Sequence, residues 1–440
     1  MIFMSDGKQP GLGVRNIVSG GAIALSVSLS GALIGYLSQI LLARWLGVEQ
    51  YGVLAFVLAV VSVLTLLAGM GLPSASIRFI PQYLSTDNAG CLRGFTSWSR
   101  KMVILGGVGL GLLMLLIGWG ASFYGYAYAD AFMAAAGLGV VSPLLALFVQ
   151  WARAERRILL STGTEQLLRP GVFIVLVTSV HYLFPVGLNV PVVLFINVMA
   201  ILAAIVLLGV RLGGGPEQHP GAAAAVQKAP EWLGVSLPLM LISALHLVMV
   251  NSDVIMIGLM VGAPEAGIYS AASKLSNLVS FILVAGNMLA APAYAGLYAR
   301  DKPEEMQKIA RVLAHLMFWP SLIICITLLV SGRWFLSLFG MEFEEARGAL
   351  YILITGQLFN VGFGSVGYLT DLTGDHHGGL FVRACTVVLN LLLNALLIPV
   401  YGIPGAAVAT AVSMIAWNAW LYMRVVKRTG VHASILFAIR

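Results

Sequence analysis

The chain has 440 residues, of which 59% are hydrophobic and only 10% are Asp, Glu, Lys or Arg. A soluble domain carries about a quarter charged residues, so a mean hydropathy of +0.94 excludes one of this length. The formal charge of +7 comes with no folded soluble module that would bind nucleic acid. This composition requires lipid as the main solvent.

Twelve apolar runs are long enough to cross about 30 Å of hydrocarbon as helices. In chain order they cover 17–43, 51–76, 96–119, 130–152, 164–184, 189–210, 233–260, 267–296, 310–331, 347–369, 380–400 and 403–426. The first follows Lys8 and Arg15 but is too long for a signal-peptide core, so it reads as an uncleaved transmembrane helix. An even number places both termini on one side. With that side cytoplasmic, all but Arg44, Arg333, Arg347 and Lys274 of the 25 basic residues lie in inner loops or at inner helix ends, as the positive-inside rule requires. Cys91, Cys325 and Cys385 are scattered and form neither a disulfide framework nor a metal motif.

The chain also repeats itself. Residues 46–55 (LGVEQYGVLA) align with 261–270 (VGAPEAGIYS), matching Gly47 to Gly262, Gly52 to Gly267 and Val53 to Ile268 at an offset of 215. Pro81-Gln82-Tyr83 is echoed by Pro292-Ala293-Tyr294, Arg169 by Arg383, and Gly187-Leu188 by Gly402-Ile403. Six spans per repeat give halves of the same orientation. The expected fold is an all-α polytopic membrane protein of two six-helix bundles, related by a pseudo-twofold along the membrane normal. Residues 1–212 form the first lobe, 213–231 a Gly/Pro/Ala-rich cytoplasmic linker and 232–440 the second lobe.

Charges inside a membrane usually face a cavity or a partner. The short list here is Arg78, at the inner end of the second run, with Glu165, Arg169, Asp253, Lys274 and Arg383. Asn277 lies three residues after Lys274, Asn390 and Asn394 follow Arg383 at +7 and +11, and His246 shares a helix face with Asp253. Cations and amides around one lumen suit a ligand with phosphate at one end and hydroxyls along the rest. Structural alternatives stay open beside that reading. Glu165 and Arg169 are spaced as an intrahelical ion pair, Asp253 and Lys274 as a buried pair, and Arg78, Arg169 and Arg383 as snorkelling ends. His376-His377 reads as a solvated turn. The glycine run from Gly106 to Gly111 reads as helix packing rather than a nucleotide fingerprint.

Residues 41–83 carry a specific resemblance: Ala43-Arg44, Leu46-Gly47, an acidic turn, Tyr51-Gly52 and a Gly69-Met70-Gly71 break. This pattern resembles the polysaccharide-biosynthesis flippases of the multidrug/oligosaccharidyl-lipid/polysaccharide exporter (MOP) superfamily. Asn251-Ser252-Asp253, Gly262, Gly267 through Ala272, and Gly402 through Ala407 are similar to the same family. The resemblance implies a V-shaped transporter that moves undecaprenyl-diphosphate-linked oligosaccharide across a bacterial inner membrane by alternating access. It also implies a cationic lumen, here Lys274, Arg383 and Arg169 with Arg78 beside them, and Asp253 as an ion-coupling carboxylate. A polysaccharide polymerase and chain-length machinery are the expected partners.

Two other functions compete. A multidrug antiporter of the same superfamily would export organic cations and so favour an acidic lumen, whereas cations outnumber acids here. A membrane-embedded polymerase or ligase would be an enzyme. The sequence offers no nucleophile–base pair, nucleotide site or metal cluster, and calls for no cofactor.

Overall fold

The computed structural model describes residues 14–126, 128–183, 187–213, 224–300 and 302–438. In chain order the α-helices are α1 (Val14–Ala68), α2 (Leu72–Ser85), α3 (Ala89–Phe123), α4 (Ala129–Ala154), α5 (Ile158–Gly163), α6 (Arg169–Leu183), α7 (Val190–Arg211), α8 (Ala229–Met260), α9 (Ala263–Ala299), α10 (Pro303–Ser337), α11 (Arg347–Gly362), α12 (Val366–Leu372), α13 (His376–Tyr401), α14 (Ile403–Thr429) and α15 (Ile435–Ala438). A π-helical turn, Thr164–Leu168, joins α5 to α6, and a 3-10 turn, Met341–Ala346, precedes α11. Among the described residues ten helices are long and apolar enough to span a membrane, and a pair bent by 46°, Met341–Gly362 with Val366–Leu372, adds another. The first of the ten, Leu29–Ala68, is broken by Gly47 at φ 74° and ψ 172°. Its 40 residues would reach about 60 Å, twice the hydrocarbon thickness. Taken as two spans meeting at Gly47, it brings the number to the twelve expected.

Several boundaries differ from the sequence reading, each for a local reason. The second span stops at Ala68 rather than 76, because Met70 and Gly71 take positive φ (49° and 70°) and Pro73 restarts a helix. The fifth starts at Ile158 rather than 164. The tenth is the bent pair, with Gly364 at φ 70° in the break. Of the expected linker, 214–223 lies outside the described residues, whereas Ala229 to Glu231 already belong to α8.

The repeat is visible in the element bounds. An offset of 214 places both ends of α3 on both ends of α10, and an offset of 215 places the Gly47 break on Gly262, which has φ 154°. The two halves touch where this offset predicts symmetry. A Cβ on Gly52 would lie 1.8 Å from the Ala263 carbonyl oxygen, and one on Gly267 would lie 2.8 Å from the Gly52 Cα and 3.1 Å from the Val48 oxygen. Since 48 and 263 are themselves equivalent positions, each glycine packs on the first turn of the other's helix. Such a reciprocal contact is what a twofold axis produces. It allows two backbones to approach with no side chain between them.

Nearby, the Arg44 Nε donates to the Leu338 oxygen at 2.6 Å, and the Tyr51 and Phe343 rings meet at 5.6 Å. These contacts close what is here called the Gly47 end. At the opposite end Trp232, at the start of α8 and fully buried, packs on Phe95 and Trp98 and donates its indole N–H to the Tyr83 hydroxyl at 2.9 Å. Val226 donates its backbone N–H to the Gly90 oxygen, and a Cβ on Gly94 would meet the Val226 oxygen at 1.9 Å. Within the first half, Gly107 and Gly111 bring α3 against the α4 backbone, as the packing reading of the glycine run expects.

Gly52→Val should therefore lower the thermal midpoint in detergent by the equivalent of at least ~1–3 kcal/mol through overpacking. Gly109→Val, whose Cβ would meet nothing within 4 Å, should leave it unchanged. Equal tolerance at both positions would remove the close contact.

Candidate functional site

Lys274 lies 12 residues into α9 from Gly262, about 18 Å down the helix at 1.5 Å per residue, near mid-membrane. Its ammonium donates to the Gln39 Oε1 and, at 3.0 Å, to the Tyr51 hydroxyl, and it sits 5.2 Å from the Tyr51 ring centroid. The Tyr51 hydroxyl donates to Gln39 at 3.1 Å, and the Tyr36 hydroxyl donates to the Lys274 carbonyl at 2.5 Å. A cation from the second half is thus solvated by amide and phenol oxygens of the first, beside the Gly52–Gly267 contact. The buried pair with Asp253 is not formed.

Asp253 is satisfied elsewhere. Buried at 3% exposure, its Oδ2 accepts from the Tyr269 hydroxyl at 2.5 Å and from the Thr410 hydroxyl, and its Oδ1 accepts from the Asn394 amide at 2.7 Å. Asn390 accepts from Ser252 at 2.8 Å and from Asn394 at 3.1 Å. Asn390 and Asn394 are therefore fully buried partners of the Asp253 cluster, not lumen groups on a face with Arg383. Three neutral donors hold the carboxylate, and among the described residues no cationic side chain pairs with it. Asp253 borders a cavity of about 300 Å³ within the second half, together with His246, Asn277, Gln357, Asn360 and Asn418. The Gln357 amide donates to Asn277 at 2.8 Å, which fixes one wall.

The first half has a polar cavity of about 360 Å³, with Gly31 and Gly35 among its lining residues and Gln39, Glu165, Gln166, Arg169 and Asn197 as its polar groups. Ser38, on its wall, is the repeat equivalent of Asp253. Glu165 pairs with Arg153 at 2.5 Å rather than with Arg169. The π turn explains this, because an i→i+5 turn takes residues four apart off a common face. Arg169 keeps Glu165 as an electrostatic neighbour but makes no hydrogen bond among the described residues.

The other expected cations lie elsewhere. One terminal guanidinium nitrogen of Arg383 donates to both carboxylate oxygens of Asp371, at 2.8 and 2.9 Å. Arg78 is exposed on α2, beyond the Gly69–Gly71 break, with its guanidinium 5.9 Å from the Phe79 ring, and lines neither cavity. The structure thus brings Lys274 to Gln39, Arg169 to the Gln39 cavity, and Asn390 and Asn394 to Asp253; Arg78 lies apart from them, and Arg383, paired with Asp371, is an electrostatic neighbour of His246 on the wall of the Asp253 cavity. The side chains of His376 and His377 lie outside the described residues. The sequence reading missed Gln39, Tyr51, Tyr269 and Thr410. For Gln39 a signal was available, as an amide inside the first apolar run, near its outer end.

A helical membrane fold with a polar cavity in each half and a cation bridging them has the form of a multi-pass transporter. The family model described as polysaccharide biosynthesis protein matches residues 17–295. The chain belongs to that family, within the MOP superfamily. A second model, MatE, matches residues 238–396. A relative from Haloferax volcanii, named as a probable low-salt glycan biosynthesis flippase, Agl15, is 30% identical over 168 residues. That alignment spans 37% of this chain and 34% of the relative, about a third of its length. An inward-facing multidrug resistance MATE family transporter superposes with a TM-score of 0.73 at 14% identity, covering 92% of this chain and 98% of its own. A MOP superfamily transporter from Pyrococcus furiosus, described by the reverse polarity of its binding pocket, gives 0.67 at 13% identity, covering 95% and 99%. These likenesses establish the fold.

Asn394→Ala should lower the thermal midpoint by the equivalent of roughly 1–3 kcal/mol, because it removes a donor from a buried carboxylate. Combining it with Asp253→Asn should recover part of that loss. An unchanged midpoint in the single variant would mean that the carboxylate draws nothing from the amide.

Proposed function

We propose that this protein is a flippase for lipid-diphosphate-linked oligosaccharide, moving the glycan from the inner to the outer leaflet of a bacterial cytoplasmic membrane with both termini cytoplasmic. The observation that carries the reading is Arg169 in the first-half cavity, a guanidinium with no hydrogen bond of its own among the described residues, facing Gln39, Gln166 and Asn197. Guanidinium binds phosphate in a fork geometry, and amides both donate to and accept from sugar hydroxyls. Family membership and the glycan-flippase relative support the same substrate class. A cavity of about 360 Å³ suits a headgroup fragment rather than a whole oligosaccharide, so the remaining glycan would occupy the cleft that opens as the lobes part.

In this mechanism residues 1–212 and 232–440 rock against one another. Lys274 bridges the lobes through Gln39 and Tyr51 in the structure described here. An arriving diphosphate competes for this cation and exchanges a neutral partner for a charged one. That exchange weakens the bridge and biases the lobes toward the other state, as a ligand must if it is to shift an equilibrium. Asp253, held by neutral donors, is the carboxylate placed to tie cation movement to the second lobe.

Transport in proteoliposomes tests the reading, with a lipid-diphosphate oligosaccharide compared against an organic cation dye. Leaflet transfer of the glycolipid is expected, reduced at least about tenfold, equivalent to 1.4 kcal/mol, in Arg169→Ala, and lost in Lys274→Ala with membrane insertion intact. Dye movement without glycolipid transfer would make the protein a drug antiporter, and normal glycolipid transfer in both variants would remove the site.

A further inference from the structure

A second site lies apart from both cavities, on the outer surface of the first half. An apolar groove of about 640 Å³ runs over α5, the π turn, α6 and α7, and its lining carries almost no polar surface. At one end it shares Leu159, Leu160 and Leu207 with a second pocket, whose remaining lining residues include Arg156, Arg157 and Arg211. Arg157 is partly committed, to Glu155 at 3.0 Å and to the Arg211 carbonyl at 2.5 Å. Arg156 and Arg211 are exposed and have no carboxylate partner among the described residues, and Arg156 is held at φ 62°.

Two further features leave room for an occupant. Gly163 and Gly171 line it, and a Cβ on either would meet nothing within 4 Å. From Leu159 to Val175 the groove follows about 24 Å of helix at 1.5 Å per residue. One leaflet supplies only about 15 Å, half of the 30 Å core. Three arginines gathered at one end of the groove match the charge of a diphosphate rather than the single charge of a phosphodiester lipid, and a long isoprenoid tail has the reach to follow the groove.

The opposite face of the same π turn carries Glu165 and Gln166 into the polar cavity. Arg153, three residues before Arg156 in the chain, pairs with Glu165, which is also the electrostatic neighbour of Arg169. We infer that this groove is a loading site for an isoprenoid lipid diphosphate, with the tail along α5–α6 and the diphosphate on Arg156, Arg157 and Arg211 before it passes by way of Arg153 to Arg169. The inference rests on the flippase reading and adds the place where the carrier lipid waits.

Native mass spectrometry of the full chain in detergent, with a glycan-free polyisoprenyl diphosphate as probe, tests it. Wild type should retain the probe against excess phosphatidylglycerol. Arg156→Gln/Arg211→Gln and Gly171→Phe should each weaken retention at least about tenfold, the latter without a clash to confound folding. Equal displacement by phosphatidylglycerol would make the groove an ordinary bilayer-lipid site and overturn the proposal. Retention that survives both groove variants but fails in Arg169→Ala would overturn the groove alone. No retention by wild type would count against the flippase reading as well.

Discussion

The structure depends on one backbone contact, between Gly52 and Gly267. In a bilayer no hydrophobic effect drives helix to helix, so association relies on close packing and on the few hydrogen bonds the helices share. Each glycine presses on the first helical turn of the other half, against Ala263 on one side and Val48 on the other. This reciprocity follows from the tandem repeat. Two equivalent turns, each opened by a glycine at positive φ, place equivalent small residues where the axis passes. Apolar packing surrounds this contact, with Phe56 against Gly258 and Tyr51 against Phe343, so the lobes part only by giving up that packing too.

The charges within the spans are arranged around that contact. Lys274 and Asp253 are each stabilised by neutral groups rather than by one another. Lys274 uses oxygens from the opposite half, so its bonds report on whether the halves are together. Asp253 uses donors from its own half, so its environment can change independently of the interface. A direct ion pair between them would have joined these two functions into one structural lock. Breaking such a pair leaves a bare buried charge, which is costly.

The spans, the repeat and the equivalence of Gly52 to Gly267 were legible because apolar length and a fixed offset are local properties of the chain. The partners of the charges were not. Helical spacing joins Glu165 to Arg169, but the π turn between Thr164 and Leu168 alters the register, and Arg153, twelve residues earlier, takes the carboxylate. Arg78 reads as intramembrane only if the apolar run is continued through Gly69–Gly71, where the backbone breaks. Arg383 reads as a free lumen cation only if the tenth span is straight. The 46° bend in that span carries Asp371 on its short second segment, beside the guanidinium. The partners of Lys274 are more than 200 residues away in sequence, on a helix whose polar residues looked incidental.

Reversible closure at the Gly47 end is the claim that joins the repeat, the glycine contact and the Lys274 bridge into a transport cycle. Gln50 and Glu265 are equivalent positions that flank the contact, one in each half. Spin labels at these two sites, in a chain whose native cysteines are replaced, would report the distance across this end in nanodiscs. The account predicts a single short distance without substrate, and a second, longer population when lipid-diphosphate oligosaccharide is added. One unchanged distance under both conditions, or a widening produced by an organic cation and not by the glycolipid, would contradict it.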